Sequence, residues 1–344
     1  MHLGRNYSSI AEMWDRIGHV PKVEAKAVIL SLSIGIILLA VKFTAYFLTQ
    51  SAAIFSDATE SIANVLAAAV ALYSLIVAHR PADLEHPYGH GKVEFISAWF
   101  EASLILAAAC FIVIKTIDAM IHGAYAGPDM AISGIVLMSA AMVVNGAVGG
   151  YLLRVGRKEG SITLIADGKH LLTDVYTTVG VLIALGLVKL TGFAIIDPIA
   201  AYVVAAYIGY VSLKLLGHAA AGIMDKQDIA DQVLITRILD AHCGGSGREP
   251  RICNYHKLRV RHSGRYHWVD FHIRLPGVLD VRKAHEIATA IELEIESALG
   301  EGNATAHIEP CDERQCEPTG ICGIVPGYVP PSLATANFIP ATTP

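Results

Sequence analysis

Residues 166–175 read ADGKHLLTDV and residues 56–65 read SDATESIANV. Both follow D-x-x-[E/H]-x-x-x-[N/D]-V, which gives Asp167, His170 and Asp174 the same spacing as Asp57, Glu60 and Asn64. Positions three and four apart share a helix face, so each triplet becomes one stripe if its segment is helical. Both segments lie inside long apolar stretches. An ionisable residue near the bilayer centre costs roughly 2.5–3.5 kcal/mol on insertion scales and marks a transport or proton path. If the two stripes face each other, Glu60, Asn64, His170 and Asp174 make a cage of three oxygen donors and one imidazole. With both carboxylates ionised the cage carries a charge of −2, which cancels a divalent first-row cation held tetrahedrally. Interhelical hydrogen bonds that merely fix a bundle are the bland alternative. Two matched triplets that include a histidine count against it.

The surrounding composition supports a membrane setting. The 344 residues are 53% hydrophobic and only 17% charged, against about 25% charged in a typical globular protein. Net charge is −5, which excludes a nucleic-acid-binding chain, and six cysteines without a repeating framework exclude a disulfide-rich secreted domain. Six apolar stretches, roughly 27–48, 53–78, 96–121, 130–155, 161–190 and 196–223, each approach or exceed the ~20 residues that span a bilayer. Basic residues gather in the N-terminal arm (Arg5, Arg16, Lys22, Lys26), the second connection (Arg80, Lys92) and the fourth (Arg154, Arg157, Lys158). By the positive-inside rule both termini face the cytoplasm. The first 25 residues contain Glu12, Asp15 and Glu24 and no small-residue cleavage site, so no signal peptide is expected. Lys42, Glu101, Lys115, Asp118, Asn145, Lys169, Lys189 and Lys214 also fall near or within spans. Snorkelling toward an end accounts for such residues, Asn145 being the foremost candidate for an exception.

The second connection, RPADLEHPYGHGKVE, carries Asp83, His86 and His90. Pro87 and Gly89 disfavour a regular helix there, but a carboxylate and two imidazoles on a short loop can bind zinc with one position left open. A solvated turn with incidental histidines is the competing reading.

After Asp225 the pattern becomes that of a soluble α+β unit. A helix is expected over 229–241 and a loop over 243–247. Strands over 254–261 and 266–275 are joined by a turn at 262–264, followed by a helix over 281–299 and a short strand over 304–308. This αββαβ order makes a small two-layer domain. His256, His272, His285 and His307 fall in its elements, and Glu309 follows. Val269, Phe271 and Ile273 point to the core, which turns Trp268, Asp270 and His272 outward and places His272 for a metal or partner. Scattered surface histidines are the alternative. Cys311, Cys316 and Cys322 match no zinc-finger spacing and are weak auxiliary ligands, and the Pro-, Ala- and Thr-rich stretch 325–344 reads as disordered.

SDATESIANV, HPYGHGK, ADGKHLLTDV and the histidine-bearing αββαβ unit together resemble the cation diffusion facilitator family, in particular its six-helix bacterial branch of the YiiP type. The resemblance covers about residues 26–310. It implies an all-α six-helix transmembrane bundle with a C-terminal cytoplasmic α+β domain of ferredoxin or metallochaperone type. The expected division is an arm over 1–26, the bundle over 27–225, the cytoplasmic domain over 226–310 and a cysteine-containing tail over 311–344. The resemblance further implies a homodimeric antiporter in the inner (plasma) membrane. It would export Zn²⁺, Fe²⁺, Mn²⁺, Co²⁺, Ni²⁺ or Cd²⁺ in exchange for protons, with metal as substrate and as structural or regulatory ion rather than as cofactor. Carried over by position, the transport site falls on Glu60, Asn64, His170 and Asp174 and the loop site on Asp83, His86 and His90. The cytoplasmic sites fall on His256, His272, His285, His307 and Glu309, and a salt bridge on Lys92 and Asp225. Such carriers usually place two aspartates where this chain has Glu60 and Asn64. That leaves metal identity open, and Asp57 is a possible substitute ligand. The imidazole favours zinc, iron, cobalt or nickel over manganese.

Three other functions compete. An intramembrane metalloenzyme lacks its motif, since His285-Glu286 is followed by Thr289 where a second histidine is needed, and no G-x-S-x-G occurs. A membrane-anchored metal sensor or scaffold has no use for Glu60, His170 and Asp174 in the bilayer. A channel is disfavoured because a tight four-ligand cage occludes an ion rather than letting it permeate quickly.

Overall fold

The computed structural model describes residues 20–49, 52–122, 132–193, 195–243, 248–277 and 279–311. The side chains of residues 48, 49, 52–60, 132–134, 185 and 197 lie outside that description. The chain forms two compact units that divide at Met224 and Asp225.

Six helices build the first unit: α1 (Lys22–Thr49), α2 (Ala52–Ala78), α3 (Val93–His122), α4 (Ile132–Glu159), α5 (Ile162–Thr191) and α6 (Ile196–Ile223). All six are long and apolar enough to cross a bilayer. Their outward faces carry Ile37, Tyr73, Ile114, Val203 and Leu213, apolar groups that suit lipid. Helix α1 packs on α2, α4 on α5 and α3 on α6, while α2–α5 and α1–α4 contacts close α1, α2, α4 and α5 into one bundle. Between apolar helices in lipid, association depends on close approach, which small residues permit. Gly149 and Gly168 supply it where α4 meets α5. A Cβ on Gly168 would lie 2.9 Å from the Gly149 carbonyl oxygen and 3.0 Å from the Leu153 nitrogen.

Helix α5 starts at a firmly held point. The hydroxyl of its N-cap Ser161 accepts from Leu164 N and donates to Glu94 Oε2 at 2.6 Å. That carboxylate, in the first turn of α3, also accepts from Thr163 N. One buried acid therefore fixes where the helix bearing the second polar stripe begins.

In the second unit, α7 (Ile229–His242) and α8 (Val281–Leu299) accompany β1 (Asn254–Ser263), β2 (Tyr266–Pro276) and β3 (Gly302–Cys311). The sheet order is β1-β2-β3, with β2 and β3 parallel. Asp228 and Asp280 cap the two helices through Ala230 N and Lys283 N. Ala284, Ala288, Ile291 and Ile295 form the buried stripe of α8 and meet Val269, Phe271, Ile273 and Leu275 of β2. The expected αββαβ order and the inward face of β2 are both present.

Two boundaries differ from the sequence reading. Strand β1 continues through Ser263, so the turn is Gly264–Arg265, with Gly264 at φ 65°. Strand β3 spans ten residues rather than five, because it pairs with β2 from Gly302 opposite His267 to Cys311 opposite Pro276. Parallel pairing extends the strand past its short apolar core, and one strand's own pattern does not announce that.

Candidate metal centres

The two polar stripes meet. Asn64 of α2 faces α5, where its Nδ2 donates to Asp174 Oδ2 at 2.5 Å and its Oδ1 meets His170 Nε2 at 3.0 Å. His170 is 6% exposed. One amide thus ties the imidazole to the carboxylate across the helix interface. Glu60 and Asp57 lie on α2, one turn and two turns before Asn64, and their side chains lie outside the described residues. Asp167 takes another partner: its buried Oδ2 accepts from Ser31 of α1 at 2.8 Å.

Polar burial goes further than snorkelling allows. Lys42 is 6% exposed and Glu101 is fully buried, so the reading that keeps such residues at the membrane surface fails for both. Lys42, Ser31, Ser61, Asn64 and Asn145 line one small cavity between α1, α2 and α4. Helix-end distance misled here, because a long bundle helix can turn a polar residue inward at any depth. Lys115 is exposed on its helix, with its ammonium 5.7 Å from the Phe111 ring.

In the loop after α2, Asp83, His86 and His90 bring one ligand atom each within 4.8 Å of the others. Asp83 Oδ1 accepts from His86 N at 2.6 Å and Glu85 N at 3.0 Å and meets His86 Nδ1 at 3.2 Å, while Oδ2 is 3.4 Å from His90 Nε2. The His86 backbone amide, foremost among these donors, holds the Asp83 carboxyl below its ordinary range. The aspartate therefore builds the turn as well as offering a ligand.

His256, His272 and Glu309 form a second cluster of this kind. Glu309 Oε1 is 2.8 Å from His272 Nδ1 and Oε2 is 3.3 Å from His256 Nε2, with Arg274 Nε 3.6 Å from Oε2. A kink in β1 turns His256 outward. Lys257 sits at φ 51°, which breaks the strand alternation, so Tyr255 and Leu258 both pack on the core and His256 faces His272. The hydrogen bond from His272 depresses the Glu309 carboxyl below its ordinary range, and burial lowers the His256 imidazole. His307, opposite His272 in the β2–β3 register, places its ring centroid 4.6 Å away at a tilt of 54°. His285 is not brought to this cluster. It lies on the exposed first turns of α8. Cys311 is buried at the end of β3, and Cys316 and Cys322 lie outside the described residues.

Lys92 belongs to the first unit, where its ammonium donates to the Ile223 carbonyl at 3.4 Å. Asp225 belongs to the second, with Arg261 Nη1 3.9 Å away. A third cluster escaped the sequence reading altogether: Asp231, His262 and His267. Asp231 lies 31 residues before His262 and 36 before His267, and no local pattern tells that α7 meets the hairpin.

Residues 28–224 match the model of the cation efflux transmembrane domain, and residues 246–311 match that of the cytoplasmic domain of cation efflux proteins. The chain belongs to the cation diffusion facilitator family. Among its relatives is an uncharacterized transporter of Synechocystis, 33% identical over 83% of this chain and 90% of that protein. The magnetosome protein MamB of Magnetospirillum gryphiswaldense is 28% identical over 73% of this chain and 82% of its own length. The cation-efflux pump FieF of Shewanella oneidensis is 26% identical over 84% and 94%, respectively. Membership makes this cation diffusion facilitator a multi-pass membrane transporter for metal-cation efflux, with a cytoplasmic domain of the type that joins two copies.

Proposed function

We propose that the chain exports a divalent transition metal, zinc foremost, from the cytoplasm in exchange for protons. The contact of Asn64 with both His170 and Asp174 carries this reading, because it sets an imidazole, an amide and a carboxylate around one point inside the bundle. The proposed cage takes Glu60, a turn earlier in the α2 sequence, as its fourth member, with Asp57 as the substitute. His170 Nε2 donates a hydrogen bond to the amide oxygen. A cation needs that nitrogen bare and the carboxylates ionised, so loading releases protons and protonation expels the cation. An imidazole titrates near neutral pH in its unperturbed state, which suits exchange against a proton gradient.

Alternating access presents the cage to each side in turn, with α2 and α5 carrying it. In this reading both termini face the cytoplasm, in keeping with the basic connections, and the membrane is the inner (plasma) membrane that the family resemblance implies. The loop cluster of Asp83, His86 and His90 and the sheet cluster of His256, His272 and Glu309, flanked by His307, bind further ions from the cytoplasm. His285 contributes only if a second copy of the chain supplies the remaining ligands. The test is zinc uptake into proteoliposomes loaded with a pH-sensitive dye. Uptake coupled to opposing proton flow, and lost in Asp174→Ala, supports the reading. Full zinc flux in Asp174→Ala overturns it.

A further inference from the structure

Asp231, His262 and His267 converge at the end of the sheet remote from the His256 cluster. His262 lies six residues after His256 on β1 and His267 five before His272 on β2. At ~3.3 Å per residue, the two groups stand about 17–20 Å apart along the hairpin. The two strands deliver their histidines to the helical side. His262 shares the parity of buried Val260, and His267 that of buried Val269 and Phe271. Asp231 comes from the first turn of α7 and meets both rings through a single atom. Its Oδ2 is 2.8 Å from His262 Nε2 and 2.8 Å from His267 Nδ1, and the rings stand 4.4 Å apart.

We propose that this trio is a separate metal site for a divalent transition cation of zinc type. One carboxylate oxygen and two imidazole nitrogens are the donor set such ions take, with a fourth position left to water or another ligand. Tetrahedral bonds of ~2.0–2.1 Å put neighbouring donors about 3.3–3.4 Å apart. The present 2.8 Å contacts need to open by only about half an ångström, a rotamer adjustment. The side chains remain 16–22% exposed, so an ion can reach them. In its absence the carboxylate accepts a hydrogen bond from the N–H of each ring. The ion replaces those two protons, which leave to solvent or move to the opposite ring nitrogens.

The position gives the ion a consequence. Helix α7 begins six residues after α6 ends, and a cation here clips its first turn to the β1–β2 hairpin. Occupancy thereby fixes the first turn of α7 to the sheet within its own unit.

Histidine footprinting of the full-length protein in detergent with diethyl pyrocarbonate, read by mass spectrometry with and without zinc, tests this without any substitution. Several-fold slower modification of both His262 and His267 in zinc is expected. Equal rates with and without the metal overturn the site and leave only a hydrogen-bonded Asp–His network. Zinc stoichiometry by equilibrium dialysis supplies the second measurement. Asp231→Asn, which keeps shape and a hydrogen-bond acceptor, should bind one ion fewer per chain, whereas an unchanged count in a monodisperse variant refutes the proposal. If Asp231→Asn aggregates, the unsubstituted protein's footprint decides. Either outcome is separable from transport, because neither measurement depends on flux.

Discussion

Asn64 Nδ2 holds Asp174 Oδ2 at 2.5 Å across the interface of α2 and α5. The amide serves both helices at once because its oxygen meets His170. A neutral amide beside Asp174 avoids the carboxylate–carboxylate repulsion that an acid at position 64 would bring when no cation is present.

Removing that amide should weaken metal binding while leaving the bundle folded. Asn64→Leu deletes a hydrogen bond to a charged group, worth about 1.5–3 kcal/mol. Zinc affinity by calorimetry in detergent should fall roughly 10- to 100-fold. Asn64→Asp has the opposite sign: a further carboxylate tightens zinc and steepens the dependence of uptake on pH. Unchanged affinity in both variants would remove Asn64 from the site.

The crossing of α4 and α5 should be intolerant of bulk. Gly168→Val forces carbon atoms into the space of the Gly149 carbonyl, and such overpacking costs about 1–3 kcal/mol. A lower melting temperature in detergent and reduced zinc flux are expected, since Gly168 lies two residues before His170. Gly150, whose added Cβ would meet nothing within 4 Å, is the control. Gly150→Ala should be neutral or stabilise by up to about 1 kcal/mol through helix propensity.

Acid should empty the sheet cluster through its histidines rather than its glutamate. The Glu309 carboxyl is held below its ordinary range by His272, so it stays ionised as pH falls through mild acidity. Burial lowers His256 from 6.5, so that ring stays neutral and ready for metal below the pH at which an ordinary histidine protonates. Metal bound there should be retained on going from pH 8 to pH 7 and released only well into the acid range. Glu309→Gln should shed it at every pH. Cobalt absorption of the full-length protein, compared with His272→Ala to isolate this site, reads both effects.

Asp83 should prove to be two things at once. Asp83→Ala removes the acceptor for Glu85 N and His86 N and so loosens the turn as well as deleting a ligand. His90→Ala deletes a ligand and leaves those backbone bonds intact. Both should lose the loop ion in a zinc count. Only Asp83→Ala should raise proteolysis within residues 80–92. Equal proteolysis in the two variants would mean that the turn does not depend on the carboxylate.

The amino-acid sequence alone determined the six spans, the two matched polar stripes and the αββαβ order. Each follows from local periodicity and from the high cost of burying polar groups in lipid. Tertiary structure alone decided which members of a stripe share a point. Asp167 and His170 lie one turn apart on α5, yet one bonds Ser31 of α1 and the other Asn64 of α2. Helical spacing gives a residue's direction but not its neighbour. The same holds for Lys42 and Glu101, whose burial depends on how helices pack around them. It holds for His256, turned by the backbone of Lys257, and for Asp231, His262 and His267, which only the folding of α7 onto the hairpin brings within reach. Convergence of residues from separate elements is a property of packing, and one strand or helix read by itself does not contain it.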